Sequence, residues 1–414
     1  MARNIIVALD IGTSVVRTVV AEKKRKENEL RVLGIGLALS SGVRRGVIVD
    51  LEDVISSIRT SVDEAQKSSG VKIKSVWLTV GGSHVSVSSS RGVVAVSRAD
   101  QEISPEDVKR AIHAAESFIS QNPNKEVLNI IPRDFKVDNE AGIKDPIGMH
   151  GIRLEVDVLI VECSNTFLKN LFKCVEGAGL KIEDYVFAPF ASAEATLSKR
   201  QKELGVMLLD IGGGTTGFAV FEEGVPIHTG ILPVGGDHIT NDIAIGFRLH
   251  IDAAERMKLV YGSCLPHEFS KRDLIRLSEF VEGEEEIEYS RKELAEIIEA
   301  RLQDLYELLQ KELKKINRAQ LLPAGVVLVG GSSVLPGLVE LTKREIKLPT
   351  ELGSLREFDG SVDEKLIPGL TAALGTLKWA FNAQGGSGNT GWGGRKILRL
   401  GDNILIKWLK SLLP

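Results

Sequence analysis

One short pattern occurs twice in this chain of 414 residues: an apolar run, an aspartate, and a turn of glycine and hydroxyl residues. The first copy contains Asp10 and the second Asp210, and another apolar run follows each turn. Each copy therefore predicts two strands joined by a polar, flexible tip. Glycines let a backbone approach a phosphate closely, and the N–H groups of such a turn bind anions. Two facing tips would hold a triphosphate from both sides, whereas two ordinary Gly-rich hairpin turns are the alternative.

The polar groups of the two tips are the candidate phosphate and metal ligands. Threonine and serine hydroxyls add donors to those of the backbone. Asp10 and Asp210 can each hold Mg²⁺ through water, because magnesium keeps most of its waters and takes few carboxylates. The candidate residues are Asp10, Gly12, Thr13 and Ser14 in the first tip, and Asp210, Gly212, Gly213, Gly214, Thr215 and Thr216 in the second.

Length, net charge and cysteine content limit the classes of protein to which this chain can belong. The length leaves room for two or more domains. The net charge of −4 gives no electrostatic case for nucleic acid as a partner. The three cysteines form no CxxC pair and no zinc pattern, which favours a reducing cytosol. We expect no signal peptide and no membrane-spanning helix, because strand-like sequence begins at once and no apolar run approaches the ~20 residues that a span needs.

Strands and helices alternate over residues 1–83, which predicts an α/β fold. Residues 84–165 have a different pattern from residues 1–83, because two pairs of predicted strands flank one helix. This helix begins at Ser104-Pro105-Glu106, with serine as N-cap and proline at the first helical position. We interpret this segment as an α+β insert in the first lobe, which residues 166–205 complete. The elements predicted before the insert are strands over 30–39, 46–49 and 76–80 and a helix over 53–69.

A second lobe is predicted to begin at Val206, with the second copy of the pattern. Its longest helix carries apolar residues at three- and four-residue steps, as a helix packed on one face does. A linker with many glycines, 382–394, then separates the tail, 395–414. The main predicted elements are helices over 237–246, 251–261, 290–316 and 367–379 and a strand over 325–329.

The order of these landmarks resembles that of the superfamily of actin, Hsp70 chaperones and sugar kinases. Within it, the chain is similar to the FtsA family, bacterial division proteins that tether FtsZ filaments to the membrane. The likeness covers essentially the whole chain, including the tail, and is most specific over 131–155. The segments that carry it are Gly82-Ser83-His84, Ile131-Pro132-Arg133-Asp134-Phe135, Gly142-Ile143-Lys144-Asp145-Pro146-Ile147-Gly148-Met149, Gly151-Ile152-Arg153-Leu154-Glu155 and Ala254-Glu255-Arg256-Met257-Lys258.

This resemblance implies an actin-like fold of two lobes, with duplicated ribonuclease-H-like domains and the insert in place of the small subdomain of actin. An amphipathic helix follows at the C-terminus on a flexible linker. The implied units are 1–83, 166–205 and part of 366–381 for the first-lobe core, 84–165 for an SHS2-type insert, 206–250 and 317–365 for the second-lobe core, 251–316 for its small subdomain, 382–394 for the linker and 395–414 for the membrane-targeting tail.

The resemblance also implies the nucleotide, ATP with Mg²⁺, and further contacts to it. Arg17 stands where actins use a lysine on the β-phosphate, and its guanidinium offers a fork in place of a point charge. Glu255 and Lys258 match contacts to the ribose and the base, with a plain exposed pair on a helix as the alternative. The remaining implied contacts are Gly235 after the second tip, and Gly330, Gly331, Ser332 and Leu335 in the adenosine loop.

Hydrolysis is expected to be weak or absent, so that the chain is at most a slow ATPase. In chaperones and MreB-type filaments of the superfamily, a glutamate just before a proline positions the attacking water. That position holds Ala188, before Pro189, and alanine can neither orient nor deprotonate water. Glu194 lies nearby but inside the following helix, so we assign it no such role and name no catalytic residue.

The tail predicts an amphipathic helix over 403–413 that lies in the membrane interface. At 100° per residue, its large apolar side chains share one arc and its lysines the other. Its length of about 16 Å is too short to span a bilayer. The basic side chains suit anionic lipid, whereas docking on the protein's own core is the alternative. The predicted membrane residues are Ile404, Leu405, Lys407, Trp408, Leu409, Lys410, Leu412 and Leu413.

The implied function is that of a polymerising adaptor on the cytoplasmic face of the cell membrane, at the division site. Its implied partners are the C-terminal peptide of FtsZ, other copies of itself, other division proteins and anionic lipid. Arg301 matches a position implicated in peptide binding, although an exposed arginine on an amphipathic helix is an equal alternative. The competing functions are a PilM-type pilus-assembly ATPase, against which the basic tail argues, and a small-molecule kinase, for which we find no catalytic acid or base.

Overall fold

The computed structural model describes residues 5–23, 29–117, 124–270, 272–279, 287–359, 362–363 and 366–384. These residues form two α/β lobes and an insert, with a cleft between the lobes. The predicted membrane tail, 395–414, and the linker from residue 385 onward lie outside the described residues. Within the described part, no helix has the length and apolar character that crossing a membrane requires.

Strands and helices alternate along most of the described chain, as the sequence predicts. The strands, in chain order, are β1 (Ile5–Ile11), β2 (Val15–Lys23), β3 (Leu30–Leu39), β4 (Val43–Arg44), β5 (Val47–Ile48), β6 (Ser75–Val80), β7 (Val85–Ala95), β8 (Lys125–Val137), β9 (Glu140–Ile143), β10 (Arg153–Ser164), β11 (Lys181–Phe187), β12 (Val206–Ile211), β13 (Thr216–Glu222), β14 (Val225–Leu232), β15 (Leu274–Arg276), β16 (Glu288–Ser290), β17 (Val326–Val329), β18 (Thr350–Leu352) and β19 (Phe358–Asp359). The α-helices are α1 (Leu51–Ser69), α2 (Pro105–Ser117), α3 (Asn165–Gly177), α4 (Ala188–Thr196), α5 (Lys199–Leu204), α6 (Gly236–Phe247), α7 (Ile251–Tyr261), α8 (Arg291–Lys315), α9 (Leu338–Ile346) and α10 (Ile367–Gln384).

Two sheets with the same local arrangement form the cores of the lobes. The first-lobe sheet has the order β11-β6-β1-β2-β3-β19, and the second-lobe sheet has the order β14-β13-β12-β17-β18. In the first, β1 pairs antiparallel with β2 and parallel with β6; in the second, β12 pairs antiparallel with β13 and parallel with β17. The two strand–turn–strand predictions are confirmed, and Asp10 and Asp210 lie near the ends of equivalent strands.

Helix α1 shows how local sequence sets the limits of an element. Asp50 caps its N-terminus by accepting a hydrogen bond from a backbone N–H of the first turn at 3.1 Å. Gly70 ends the helix in the left-handed region, with φ 68°. The predicted apolar face of Val54, Ile58 and Val62 is buried against the sheet. At about 2 kcal/mol for each large side chain, this burial fixes the helix in place.

The long helix α8 holds the smaller part of the second lobe together. Ser290 is its N-cap, so the helix begins one residue later than predicted. Its apolar stripe packs into one core with residues of α6, α7 and α9. The predicted stripe residues that are fully buried are Leu294, Ile298, Leu302, Leu305, Leu309 and Leu313.

The insert forms a four-stranded antiparallel sheet in the order β7-β10-β8-β9, with α2 on one face. Because side chains alternate along a strand, β10 faces two cores. Ile160 packs in the insert's own core with Ile112 of α2, whereas Leu159 and Val161 join the core that contains Leu78 of the first lobe. The insert is therefore attached to the first lobe by apolar packing as well as by the chain.

The chain returns to the first lobe earlier than predicted. β19 pairs with β3, so residues 358–359 belong to the first-lobe sheet, and the second-lobe core does not extend to residue 365. Just before β19, Arg356 ties the chain that returns to the first lobe to the end of α4. Its N–H donates to Ala195 O at 3.0 Å and its Nε donates to Thr196 O at 2.9 Å. A strand of two residues leaves no periodicity that a sequence could reveal, which explains the misplaced boundary.

Helix α10 also extends further than predicted. It runs past Trp379 to Gln384, and so takes in the first three positions of the segment predicted as linker, 382–394. No glycine or proline interrupts it after its midpoint, and Phe381 is buried on the first lobe, so packing continues the helix. At its crossing with α4, a Cβ on Gly375 would lie 1.8 Å from Ala191 O, so only glycine allows this approach.

Candidate nucleotide-binding site

The two hairpin tips face each other across a cavity of about 290 Å³ between the lobes. This volume is close to the lower end of ligand pockets, about 300 Å³. Residues predicted from four separate parts of the sequence meet here. The predicted residues that line the cavity are Asp10, Gly12, Thr13, Ser14, Arg17, Asp210, Gly212, Gly213, Gly214, Thr215, Glu255, Lys258, Gly330, Gly331, Ser332 and Leu335.

The tips approach so closely that they contact each other through polar atoms. Ser14 Oγ, in the first lobe, donates a hydrogen bond to Asp237 Oδ1 of the second lobe at 3.1 Å. A Cβ on Gly214 would lie 2.6 Å from Thr13 Oγ1 and 2.9 Å from Arg45 Cα, so the second tip has no room for a side chain at this point against the first lobe. Thr13 Oγ1 accepts a hydrogen bond from Gly46 N at 3.0 Å, which fixes the β4–β5 hairpin beside the first tip.

Two predicted residues support the second tip without lining the cavity. Thr216 is buried, and its hydroxyl donates to Val234 O at 2.7 Å, so this hydroxyl is not presented to the cleft. Gly235 is the N-cap of α6, and a Cβ there would lie 2.4 Å from Gly213 O. Its neighbour Gly236 lines the cavity instead. The sequence pattern marked the correct turns, but it could not distinguish residues that face the cavity from those that hold its wall.

The two aspartates lie in an environment that disfavours their charge. Burial raises the pKa of Asp10, and Arg17, whose Nη1 is 3.3 Å from Asp10 Oδ2, opposes the rise. Burial raises the pKa of Asp210 to about 6, against a hydrogen bond of 2.7 Å from Ser192 Oγ. A divalent cation would restore the charged form of both. Within the described ranges, no three His, Cys, Asp or Glu side chains form a group that could hold a metal.

Glu255 and Lys258 are part of a polar network around a buried lysine, which argues against a plain exposed helical pair. Lys258 is buried, and its Nζ donates to Glu255 Oε2 at 2.6 Å and to Thr240 Oγ1 at 2.7 Å. Thr240 also donates to Glu255. Ser332 Oγ reaches Gly212 O at 3.2 Å and so joins the adenosine loop to the second tip. The network fixes these side chains at the end of the cavity away from the first tip.

Ala188 lines the cavity at the first turn of α4, next to Gly81, on which a Cβ would lie 3.2 Å from Ala188 Cβ. Its methyl group offers no acceptor to a water molecule. Glu194 is buried within α4 and forms an ion pair with Lys202 Nζ at 2.6 Å. Its carboxylate is therefore already engaged by a lysine, and we assign it no role in hydrolysis.

Arg301 lies on α8 and is fixed by two carboxylates. Its Nε and Nη2 donate to Asp242 on α6 at 2.5 and 2.9 Å, and its Nη1 donates to Asp304 at 3.0 Å. The side chain is 30% exposed, so the guanidinium is held in one orientation while one edge remains accessible. A freely exposed arginine on a helix would lack such a bidentate partner.

Comparison with known proteins identifies the family. The profile described as "Cell division protein FtsA" matches residues 207–375, and the one described as "SHS2 domain inserted in FTSA" matches residues 82–162. The cell division protein FtsA of Pseudomonas aeruginosa is 37% identical over 381 residues, which are 92% of this chain and 90% of that protein. The chain belongs to the FtsA family. It is therefore an actin-like cell division protein, as the resemblance implied.

Solved structures support the fold of this FtsA-family chain. A protein of the "PilM-PilN type IV pilus biogenesis complex" has a TM-score of 0.65 at 18% identity, over 90% of this chain and 97% of that one. MreB5 of Spiroplasma citri, solved with bound ADP, has a TM-score of 0.53 at 13% identity, over 92% and 99%. Identities this low establish the actin-like fold alone. The family is decided by the FtsA matches.

Several residues of the FtsA-family site were missed from the sequence. Asp237 left a usable signal, because it directly follows a glycine pair at the start of a predicted helix. Ser192 and Gly46 left none: the first is one serine in an Ala-rich helix, and the second lies in a hairpin whose strands have two residues each. Their roles depend on the packing of distant segments, which a local pattern does not contain.

Proposed function

We propose that this FtsA-family protein binds ATP with Mg²⁺ between its lobes, polymerises, and tethers FtsZ filaments to the cytoplasmic membrane. The convergence of two Asp-Gly-Thr tips from different lobes on one cavity carries the proposal. In this arrangement, backbone N–H groups of both tips would hold the phosphates from two sides. Asp10 and Asp210 would hold Mg²⁺ through water, and Arg17 would neutralise charge on the β-phosphate.

The nucleotide would serve to hold a shape that polymerises, with weak or no hydrolysis. Ala188, which the resemblance puts at the position of the water-positioning glutamate, borders the cavity. Glu194, the nearest alternative on α4, is occupied by its ion pair with Lys202. A site that binds tightly and lacks a general base loses typically 10²–10⁴-fold in rate. We therefore name no catalytic residue and propose at most a slow ATPase.

The adaptor role combines three surfaces. Arg301, held in position by Asp242 and Asp304, would offer its remaining N–H donors to a peptide such as the C-terminus of FtsZ. The tail, 395–414, would place its apolar arc in the membrane and its lysines toward anionic lipid. Burying five or six large side chains gives roughly 8–12 kcal/mol, and ordering the segment costs a similar amount. A single tail would bind weakly, whereas many tails on a filament would bind firmly.

Other copies of the chain and further division proteins complete the proposed partners, and nucleic acid is not among them. The location would be the cytoplasmic face of the membrane at the division site. A PilM-type function is less well supported, because identity to the pilus protein is 18% against 37% to FtsA of Pseudomonas aeruginosa. A small-molecule kinase would require a catalytic acid or base that faces a substrate cleft, and we assign no residue to that role.

Co-sedimentation with anionic liposomes tests the adaptor. Full-length protein is compared with protein ending at Gln384, with ATP and Mg²⁺ present and a labelled FtsZ tail peptide added. We expect pelleting that depends on the tail and carries the peptide with it. Neutral liposomes are the lipid control. Equal pelleting of the two proteins would reject the tail as the membrane anchor.

Binding of a fluorescent ATP analogue tests the cleft separately. Gly214→Ala should weaken binding strongly, because its Cβ would lie 2.6 Å from Thr13 Oγ1 and 2.9 Å from the backbone Cα of Arg45. Ser56→Ala, on the exposed face of α1 and outside the cavity lining, is the control. Binding by Gly214→Ala at wild-type affinity would reject the two-sided clamp.

A further inference from the structure

The insert belongs to the first lobe by connection, yet it also contacts the second lobe. Its chain leaves after β6 and returns at α3, both in the first lobe. On its other side, Arg133 and Lys144 reach the hairpin β13–β14 of the second lobe. Both residues lie in the segments that carried the family resemblance, and neither lines the nucleotide cavity. Their cross-lobe contacts are therefore unexplained by the proposed ATP site.

Arg133, on β8, is largely buried and joins three strands. Its Nη1 donates to Ile227 O of β14 at 3.1 Å. Its Nη2 lies 3.5 Å from Asp157 Oδ1 on β10, which holds the guanidinium in position. The side chain is 20% exposed, so little water can replace a lost acceptor. Separation of the insert from β14 would break this charge-assisted hydrogen bond.

Lys144, just after β9, contacts the turn between β13 and β14. Its Nζ donates to Glu223 O at 3.1 Å, and lies 3.7 Å from Glu203 Oε2 and 3.8 Å from Glu223 Oε2. Glu223 has φ 51°, and its N–H donates to Glu203 O of α5 at 3.1 Å. Lys202 of α5 lies over the ring of Phe221 on β13, so the turn and α5 pack together on the second lobe. Lys144 therefore holds a rigid turn and not a loose loop.

The hairpin that the insert contacts leads directly to the nucleotide cavity. β13 follows Thr215 of the second tip, and Ile231 of β14 lines the cavity. Ile227, the partner of Arg133, is four residues from Ile231, about 13 Å along a strand. Movement of the second lobe away from the first would shift the hairpin from the insert and the second tip from Ser14 at the same time.

We propose that Arg133 and Lys144 make the insert a brace that holds the second lobe closed against the first. Any opening that moves the hairpin β13–β14 away from the insert breaks both contacts, so the brace slows the release of nucleotide. The coupling is reciprocal, since a ligand that favours closed lobes also favours the docked position of the insert. The effect on ATP rests on the proposed nucleotide function, whereas the effect on lobe position does not.

The test measures the distance between the lobes in the full-length, nucleotide-free protein. Spin labels are attached at Lys67→Cys on α1 and Lys343→Cys on α9, which are exposed positions in the first and second lobes. The native thiols of Cys163, Cys174 and Cys264 are buried, which protects them from the label. Double electron–electron resonance then gives the distribution of distances.

Arg133→Met and Lys144→Met should each give a longer or broader distribution than the labelled parent. Lys144→Arg keeps the charge and should keep the parent distribution. Arg98→Met is the matched control, because Arg98 pairs with Asp100 inside the insert at 2.8 Å. Parent-like distributions in both methionine variants would overturn the brace. If Arg133→Met does not fold, Lys144→Met decides, since Lys144 is half exposed.

Release of a fluorescent ATP analogue from the same proteins measures the effect on nucleotide. We expect release about tenfold faster for Arg133→Met, the usual effect of losing one charge-assisted hydrogen bond, and about threefold faster for the more exposed Lys144→Met. Unchanged release in both would overturn control of nucleotide by the brace. If the parent binds no ATP, the proposed nucleotide function fails, and the distance measurement still decides the brace.

Discussion

Replacing Asp210 by asparagine should stabilise the nucleotide-free protein near neutral pH. Burial raises the pKa of Asp210 to about 6 from its ordinary 3.8, and the charge of Asp10 adds to the rise. Between these two values the folded protein binds more protons than the unfolded chain does. Its free energy of unfolding therefore falls as the pH rises from about 4 to about 6. Asparagine carries no charge at any pH, so the variant should not show this fall.

The size of the effect follows from the two pKa values. A difference of about two units corresponds to roughly 3 kcal/mol at neutral pH. Asp210 borders the open cavity, where solvent reduces the cost of the charge, so we expect about 1–2 kcal/mol. The stabilisation should be full at pH 7.5 and nearly absent at pH 4.

Urea unfolding of the full-length protein in EDTA, followed by tryptophan fluorescence at several pH values, measures the difference. Asp63→Asn, on the outer face of α1, removes an exposed carboxylate and is the control. The reasoning is refuted if wild type and Asp210→Asn show the same pH dependence between pH 4 and 7.5. The variant should also bind Mg²⁺ and ATP more weakly than wild type, because the carboxylate that Mg²⁺ would stabilise is gone. Greater stability and weaker binding in one variant distinguish a ligand position from a structural one.

Three further predictions concern other parts of the molecule. Ala188→Glu should raise the rate of phosphate release at least about tenfold, since a general base is restored beside the cavity; an unchanged rate would show that this position does not reach the water. Arg301→Gln should weaken binding of the FtsZ tail peptide about tenfold in fluorescence anisotropy, through loss of a charged donor, and unaltered affinity would remove Arg301 from the peptide site. Gly375→Ala should lower the free energy of unfolding by about 1–3 kcal/mol or more through overpacking against Ala191, whereas Gly331→Ala, with no atom within 4 Å of its Cβ, should stay near wild type in thermal unfolding.

The parts of the fold that were predictable from sequence are those with local, periodic signals. The hairpins around Asp10 and Asp210 and the stripe of α8 each carry a pattern that repeats every two or three to four residues. The insert could be recognised because its texture changes at residue 84, and the family profile for 82–162 agrees. In each case the prediction needed only the order of polar and apolar residues within one segment.

The parts that sequence could not give depend on contacts between distant segments. The Thr216 hydroxyl donates to Val234 O, 18 residues further along the chain and just after β14, and does not face the cavity. The packing of that distant segment decides its direction. The early return at β19 depends on pairing with β3, more than 300 residues earlier. The orientation of Arg301 is set by Asp242 on another helix. Such pairings are properties of the assembled lobes and leave no mark at either residue alone.

The hydrogen bonds of Arg356 to the end of α4 would limit how the two lobes can move. The chain crosses between them twice, and Arg356 ties the second crossing to Ala195 and Thr196 at the end of α4, one short helix before the first crossing. Two connections held this close together would act as a single pivot, which permits rotation and resists sliding or separation. A small rotation about this pivot would give a large displacement at the rim of the cleft, because displacement grows with distance from the axis. A ligand or a partner bound at the rim of the cleft lies far from this axis. It would therefore need little force to set the angle between the two lobes.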